Sequence, residues 1–292
     1  MTNRRTLCAL LCVCLSASAA EKFSPRRLAW NKPTKPFHII GNIYFVGTAG
    51  LGSYLITTPD GDIILDAGLP ESAPLIEKNV AALGFHMKDV KYLLNSHAHY
   101  DHAGGLAQLK KDSGARMVAS RADAETLNSG MQSSYGGGWD SKFPAVKVDR
   151  IIKTGDKVEL GGTTLTALLT PGHTKGCTTW TMPVTEAGKT YSVIFYCSTS
   201  VPGYPLVHNR EYPQIASDYQ HSFDILKNVK ADVFLANHAE FFHMKEKLAR
   251  LKPGAPNPFI DPGELHKYVL ESEQAFNREL SKQQMSAKPP LH

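Results

Sequence analysis

The stretch Leu93-Leu94-Asn95-Ser96-His97-Ala98-His99-Tyr100-Asp101-His102-Ala103-Gly104-Gly105 constrains this chain more than any other. An apolar run, Tyr92 to Leu94, ends in a polar turn that carries four metal-type side chains within six residues. His97 and His99 are two apart, so on a continuing strand both imidazoles point to one side and can reach one small cation. Asp101 and His102 come after a bend and are free to face a second point in space. The pattern calls for two adjacent metal positions, one rich in nitrogen and one that includes a carboxylate, and zinc suits such donors. A lone His-x-His in a strand is commonly surface decoration. Three histidines and an aspartate at the end of an apolar run, with Gly104-Gly105 behind them, are not.

The N-terminus reads as a secretory signal over residues 1–20. Arg4 and Arg5 supply the charged start, Leu7 to Leu15 the apolar stretch, and Ala17-Ser18-Ala19-Ala20 the small residues suited to cleavage. The apolar part is too short to span a bilayer, and Cys14 lacks the small residues expected before a lipid-modified cysteine. A soluble exported protein is expected, in the periplasm, with no membrane contact after the signal is removed. Loss of Arg4 and Arg5 lowers the net charge from +5 to +3, and no basic run is interleaved with aromatics. Nucleic acid is therefore not an expected partner. Residues 21–292 are long enough for one large core and carry no internal repeat or low-complexity linker. They are read as a single domain and a monomer. Cys8, Cys12 and Cys14 leave with the signal. Cys177 and Cys197 then either form a disulfide, worth roughly 3 kcal/mol for so short a loop, or remain two buried thiols.

The rest of the chain reads as two similar halves. Ile43 to Val46, Ser53 to Thr57 and Ile63 to Leu65 are strands of an antiparallel meander, with Pro59-Asp60-Gly61 as a tight turn. Asp66 at the end of this meander reads as a turn-capping carboxylate in preference to a ligand. Helices are expected at Ser72 to Leu83, Leu106 to Lys111 and Ala122 to Asn128, and strands at Tyr92 to Leu94 and Met117 to Ala119. Ser129 to Lys142 is a glycine-rich irregular loop with Tyr135 and Trp139, the kind of segment that often binds. In the second half, Val146 to Ile152, Lys157 to Leu160, Thr163 to Leu168, Thr178 to Met182, Tyr191 to Tyr196 and Val233 to Leu235 read as strands. Gln214 to Val229, Lys245 to Leu251 and Gly263 to Lys282 read as helices. Further histidines, His173 in Thr170-Pro171-Gly172-His173-Thr174 and His238 after Asn237, fall at strand ends. The expected architecture is α/β: two packed sheets, helices outside, and a site at one shared edge.

With His173 and His238 in place, the sequence resembles the metallo-β-lactamase superfamily from about residue 38 to residue 250. The resemblance implies an αβ/βα four-layer sandwich with two zinc ions per chain, His97, His99 and His173 on the first and Asp101, His102 and His238 on the second. Glyoxalase II, the tRNA-processing nucleases and the lactonases place an acid at the end of the strand after the Pro-Gly-His turn. This chain has Phe195-Tyr196-Cys197-Ser198 there. That departure, the run Thr170 to Trp180 and the run Cys197-Ser198-Thr199-Ser200 are similar to subclass B3. The implied reaction is hydrolysis of the ring amide of penicillins, cephalosporins and carbapenems by a zinc-bound hydroxide, which confers antibiotic resistance. Asp101 would hold the nucleophile, and Ser198 and Ser200 would bind the substrate carboxylate. Alternation lets only one of Cys197 and Ser198 face the site, and Ser198 is favoured because His102 already completes the implied second metal set. A hydrolase of the same fold acting on thioesters or lactones is the alternative. Trp30, Tyr135 and Trp139 are candidates to flank the groove. His38, His86, His208, His221, His243, His266 and His292 are read as surface or packing residues.

Overall fold

The meander expected at 43–65 is present and begins one strand earlier. The structure, a computed structural model, describes residues 23–287, so the signal-peptide reading lies outside it. A short helix α1 (Pro25–Trp30) comes first. It is followed by β1 (Phe37–Ile40), β2 (Ile43–Phe45), β3 (Tyr54–Thr58) and β4 (Gly61–Leu65), paired antiparallel in that order. Neither α1 nor β1 was expected. After α2 (Ala73–Ala82) the chain enters β5 (Val90–Leu94), then α3 (Tyr100–Ala103), α4 (Leu106–Ser113), β6 (Arg116–Ser120) and α5 (Arg121–Ser129). The irregular loop holds a two-residue pairing, β7 (Met131–Gln132) with β8 (Ser141–Lys142). Of the strand expected over Val146 to Ile152, only β9 (Arg150–Ile152) forms a ladder. β4, β5, β6 and β9 pair in parallel, which completes a seven-stranded sheet.

The second sheet runs β10 (Lys157–Leu160), β11 (Thr163–Leu169), β12 (Thr178–Glu186), β13 (Lys189–Tyr196) and β14 (Val233–Ala236). Its first four strands are antiparallel, and α6 (Ile215–Lys227) carries the chain across to the parallel β13–β14 pair. α7 (Met244–Arg250) and α8 (Glu264–Ser286) end the described chain.

The two-residue period of β4 shows how the layers form. Ile63 and Leu65 face Phe45, Trp180 and Phe195 between the sheets, while Ile64 faces Ile76, Val80 and Leu109 under α2 and α4. On the far side of the second sheet, Tyr219 and Phe223 of α6 pack on Phe276 of α8. The result is helices, sheet, sheet, helices. The sheets are tied where their strands end: Tyr54 Oη donates to Ala236 O (2.6 Å), and Trp180 Nε1 donates to Asn95 O (3.1 Å). Asn95 opens the histidine-bearing turn and Ala236 precedes His238 by two residues, so these bonds bring the loops of both sheets to one edge.

Candidate metal centre

β5 stops at Leu94, so His97 and His99 lie on a loop and not on a continuing strand. Their rings still meet, with centroids 4.6 Å apart. The loop is held by Asp66, which is buried and in the left-handed region (φ 61°). Its Oδ1 accepts from the Ser96 amide (2.7 Å) and from Asn95 Nδ2 (3.4 Å). Asp66 thus caps the turn and lies outside both ligand groups. Burial lifts its carboxyl to about 7, against these hydrogen bonds.

The structure brings together the residues singled out for metal binding. His97, His99 and His173 each present one nitrogen within 4.8 Å of the other two, and Asp101, His102 and His238 form a second group of the same kind. His173 arrives on the Pro171–Gly172 turn. Gly172 has φ 132°, and a Cβ there would stand 2.7 Å from the Tyr219 ring, so this turn needs glycine. Asp101 and His102 lie on the single turn α3, which sets them beside His238 in the second group, with the His102 ring 4.5 Å from that of His97.

Neighbours fix how each ring is presented. The His173 Nδ1 atom lies 2.8 Å from Ser200 O, which leaves Nε2 facing His99 Nδ1 at 3.1 Å. The other nitrogen of His99 is 3.2 Å from Tyr204 Oη, which donates to His173 O (3.0 Å). His97 Nδ1 faces the Ser96 hydroxyl (3.2 Å) and the Asn237 amide (3.1 Å), and its Nε2 is buried with no hydrogen-bond partner among the described residues. His102 Nε2 and His238 Nε2 are 3.1 Å apart, and Asp101 Oδ2 is 3.5 Å from each.

Five imidazoles crowded in this way remain neutral. Burial, reinforced by neighbouring rings, drives His97 and His99 well below the ordinary histidine value, and burial does the same for His102. Burial takes His173 down to about 4 and His238 to about 3. Neutral nitrogens that face one another, with His97 Nε2, His102 Nδ1 and His238 Nδ1 buried and unpartnered among the described residues, together with a buried carboxylate, are a donor set that a cation satisfies. Three protein ligands in each group leave room for a reactant. Zinc and other borderline-soft divalent ions fit these nitrogen-rich sets.

The remaining candidates divide. Cys177 and Cys197 are joined as a disulfide behind the first group, so the two-thiol alternative does not hold and the sulfurs are not free thiolates. Cys197 Sγ packs 3.7 Å from His97 Nδ1. Ser198 does not reach the groove as expected. β13 ends at Tyr196, the alternation lapses, and Ser198 is buried, its hydroxyl accepting from the Ser200 amide (3.2 Å). Ser200 is the serine on the groove. Trp30 and Trp139 also line this groove of about 500 Å³, together with Ser200 and Phe241. Tyr135 does not: it packs edge-on to Tyr204 and Tyr212. Sequence reasoning missed Tyr204, Asp123 and Arg26. Only Tyr204, in the tight Pro202-Gly203-Tyr204-Pro205 run, left a signal.

Comparison with known proteins agrees with the geometry. The family model for the metallo-beta-lactamase superfamily matches residues 53–238. The chain belongs to this superfamily. BJP-1, a subclass B3 metallo-beta-lactamase of Bradyrhizobium japonicum, superposes with a TM-score of 0.84 at 45% identity, over 89% of this chain and 98% of that one. FEZ-1 metallo-beta-lactamase from Legionella gormanii does so at 0.84 and 44%, over 87% and 98%. Within the superfamily the chain falls in subclass B3. A hydroxyacylglutathione hydrolase of Hyphomonas neptunium is 32% identical over 106 residues, 36% of this chain and 34% of that protein. The chain thus spans about a third of the length of the curated relatives it matches.

Proposed function

We propose that the protein is an exported, two-zinc β-lactamase that opens the ring amide of penicillins, cephalosporins and carbapenems and so confers antibiotic resistance. The observation that carries this is the meeting of two three-ligand groups at one sheet edge, beside a groove large enough for a bicyclic substrate. Zinc bound there supplies Lewis acidity and lowers the pKa of bound water to about 7.

The chain's own residues supply the rest. Asp101 presents Oδ2 between His102 Nε2 and His238 Nε2, 3.5 Å from each, and lines the groove, where it can accept a proton or hydrogen bond from the attacking water. Burial raises its carboxyl, partly offset by His238, and a nearby cation would restore the charged form. Ser200, held by Ser198, offers a hydroxyl to the substrate carboxylate. Trp30 and Trp139 flank the bicycle with flat apolar faces. The Ser200 carbonyl, accepting from Tyr219 Oη (2.7 Å) and facing His173 Nδ1, couples substrate recognition to the ligand rings.

A second reading, hydrolysis of thioesters, is favoured by the likeness to hydroxyacylglutathione hydrolases. Against it, the strand end that carries an acid in those enzymes ends here in Cys197, locked in the disulfide. Parallel assays of the purified chain on penicillin, cephalosporin, carbapenem and acyl-glutathione substrates separate the two. Export is tested by N-terminal sequencing of protein recovered from the periplasm, with cleavage expected after Ala20.

A further inference from the structure

We infer that Asp123 is a positioning residue for the first metal position: its carboxylate ties the His97–His99 segment to the His173 turn and so sets the spacing of the three imidazoles. The inference rests on the reading that these three histidines hold a cation.

Asp123 lies in the first turn of α5, is 4% exposed and is not among the groove-lining residues. Its Oδ2 accepts from the Ala98 amide at 3.0 Å, the peptide between His97 and His99. The same oxygen accepts from Thr174 Oγ1 at 3.4 Å, on the residue after His173. The Gly176 amide donates to this carboxylate as well. Ser120, the N-cap of α5, completes the clamp: its hydroxyl donates to Gly176 O (2.8 Å) and accepts from the Asp123 amide (3.3 Å). A Cβ on Gly176 would stand 2.2 Å from Ser120 Oγ and 2.6 Å from Asp123 Cγ, so the His173 turn is pressed directly onto this helix end.

The chemistry calls for an acid. Both segments present donors to Asp123, and a carboxylate is acceptor-only. An asparagine would offer these donors a single uncharged, weaker acceptor oxygen and bring an NH₂ that neither backbone amide can accept from. Asp66 grips the same segment at Ser96; Asp123 adds the link across to His173. Burial raises its carboxyl to about 7, and the hydrogen bonds from Thr174, Ala98 and Gly176 oppose that rise by favouring the charged form. Residues that orient ligands from behind typically change metal affinity 10- to 100-fold when replaced.

The test is metal binding and not turnover alone. Metal-free wild type, Asp123→Asn and Asp123→Ala are titrated with zinc against a chelating dye, and with cobalt(II) while the visible ligand-field bands are followed. One of the two binding steps is expected to weaken about 10- to 100-fold in both variants, with its cobalt bands shifted and the other step unchanged. Thr174→Val, which keeps the shape and removes one donor, is expected to shift the same step less, and Thr174→Ser to restore it; this pair carries the test if Asp123→Ala does not fold. Wild-type affinities and spectra in all these variants, with only a lower melting temperature, would overturn the inference and leave Asp123 as a fold residue. Failure of the wild type itself to bind zinc would instead overturn the underlying metal-centre reading.

Discussion

His102 and His238, 136 residues apart in sequence, bring their Nε2 atoms to within 3.1 Å, with Asp101 Oδ2 3.5 Å from each. Among the described residues no hydrogen bond reaches the Nδ1 atom of either ring, and both Nδ1 atoms are buried. His102→Ala is therefore expected to remove one zinc-binding step while the other remains. The zinc content measured after dialysis falls from two per chain to one. Turnover falls at least about 10-fold, the scale seen when only a ligand's supporting partner is lost.

Acid should unfold the metal-free protein early. His173, at about 4, and His238, at about 3, lie below their unfolded value near 6.5, and His97, His99 and His102 are lowered too. Between those values the unfolded chain binds more protons, so stability present above pH 6.5 is lost as the pH falls toward 4. Around the site Asp66, Asp123 and Asp101, raised by burial, act in the opposite sense, but five histidines outnumber three carboxyls. The urea midpoint of chelator-treated protein is expected to drop steadily from pH 7 to pH 5. A flat or rising midpoint would contradict the neutral, buried state of these rings.

The N-terminal wall of the groove depends on a glycine outside it. Trp30 stands over His238 (centroids 5.2 Å) with Arg26 above it (4.5 Å), and a Cβ on Gly50 would lie 2.7 Å from both Trp30 Cα and Cδ1. Gly50→Ala should push α1 away and raise KM by roughly 3- to 10-fold, about 1 kcal/mol of contact, with zinc content unchanged. Steady-state kinetics beside metal analysis decides it; an unaltered KM would mean that Trp30 does not touch substrate.

Outside the groove lining and both ligand groups, Lys247 of α7 and Glu264 of α8 form a buried ion pair, with Phe242 and Phe259 facing the ammonium. Burial pushes the lysine down and the glutamate up, and the pairing opposes both. Lys247→Ala strands a carboxylate and is expected to cost about 3 to 5 kcal/mol, a melting temperature lower by roughly 10 °C, with kcat at low temperature unchanged. Thermal melts followed by fluorescence measure this.

What could be seen in the chain beforehand follows from how local each signal is. His97, His99, Asp101 and His102 are neighbours, and their spacing carries the chemistry without the fold. His173 and His238 were legible because strand ends are readable and the edge of a sandwich gathers them. The meander from Ile43 to Leu65 was legible because its short apolar runs are punctuated by the Pro59-Asp60-Gly61 turn, although β3 and β4 are buried on both faces and do not alternate. α1 was not: it buries no side chain and is held by polar hooks from distant residues, Arg27 on Glu71 at 2.7 and 2.8 Å and Thr48 Oγ1 on Trp30 O at 2.7 Å. Asp123 and Tyr204 escaped for the same reason, since their partners are brought to them only by tertiary folding. Ser198 was assigned to the site from the resemblance and from the ligand set that His102 completes, with strand alternation assumed to hold past Tyr196, where the ladder has ended.

The most direct test of the central claim is hydrolysis of a carbapenem by the purified chain lacking residues 1–20, as purified with zinc, after chelation, and after zinc is restored. The account predicts ring opening that disappears with the chelator and returns with zinc. Protein that holds two zinc ions and opens no β-lactam, whether penicillin, cephalosporin or carbapenem, would contradict it.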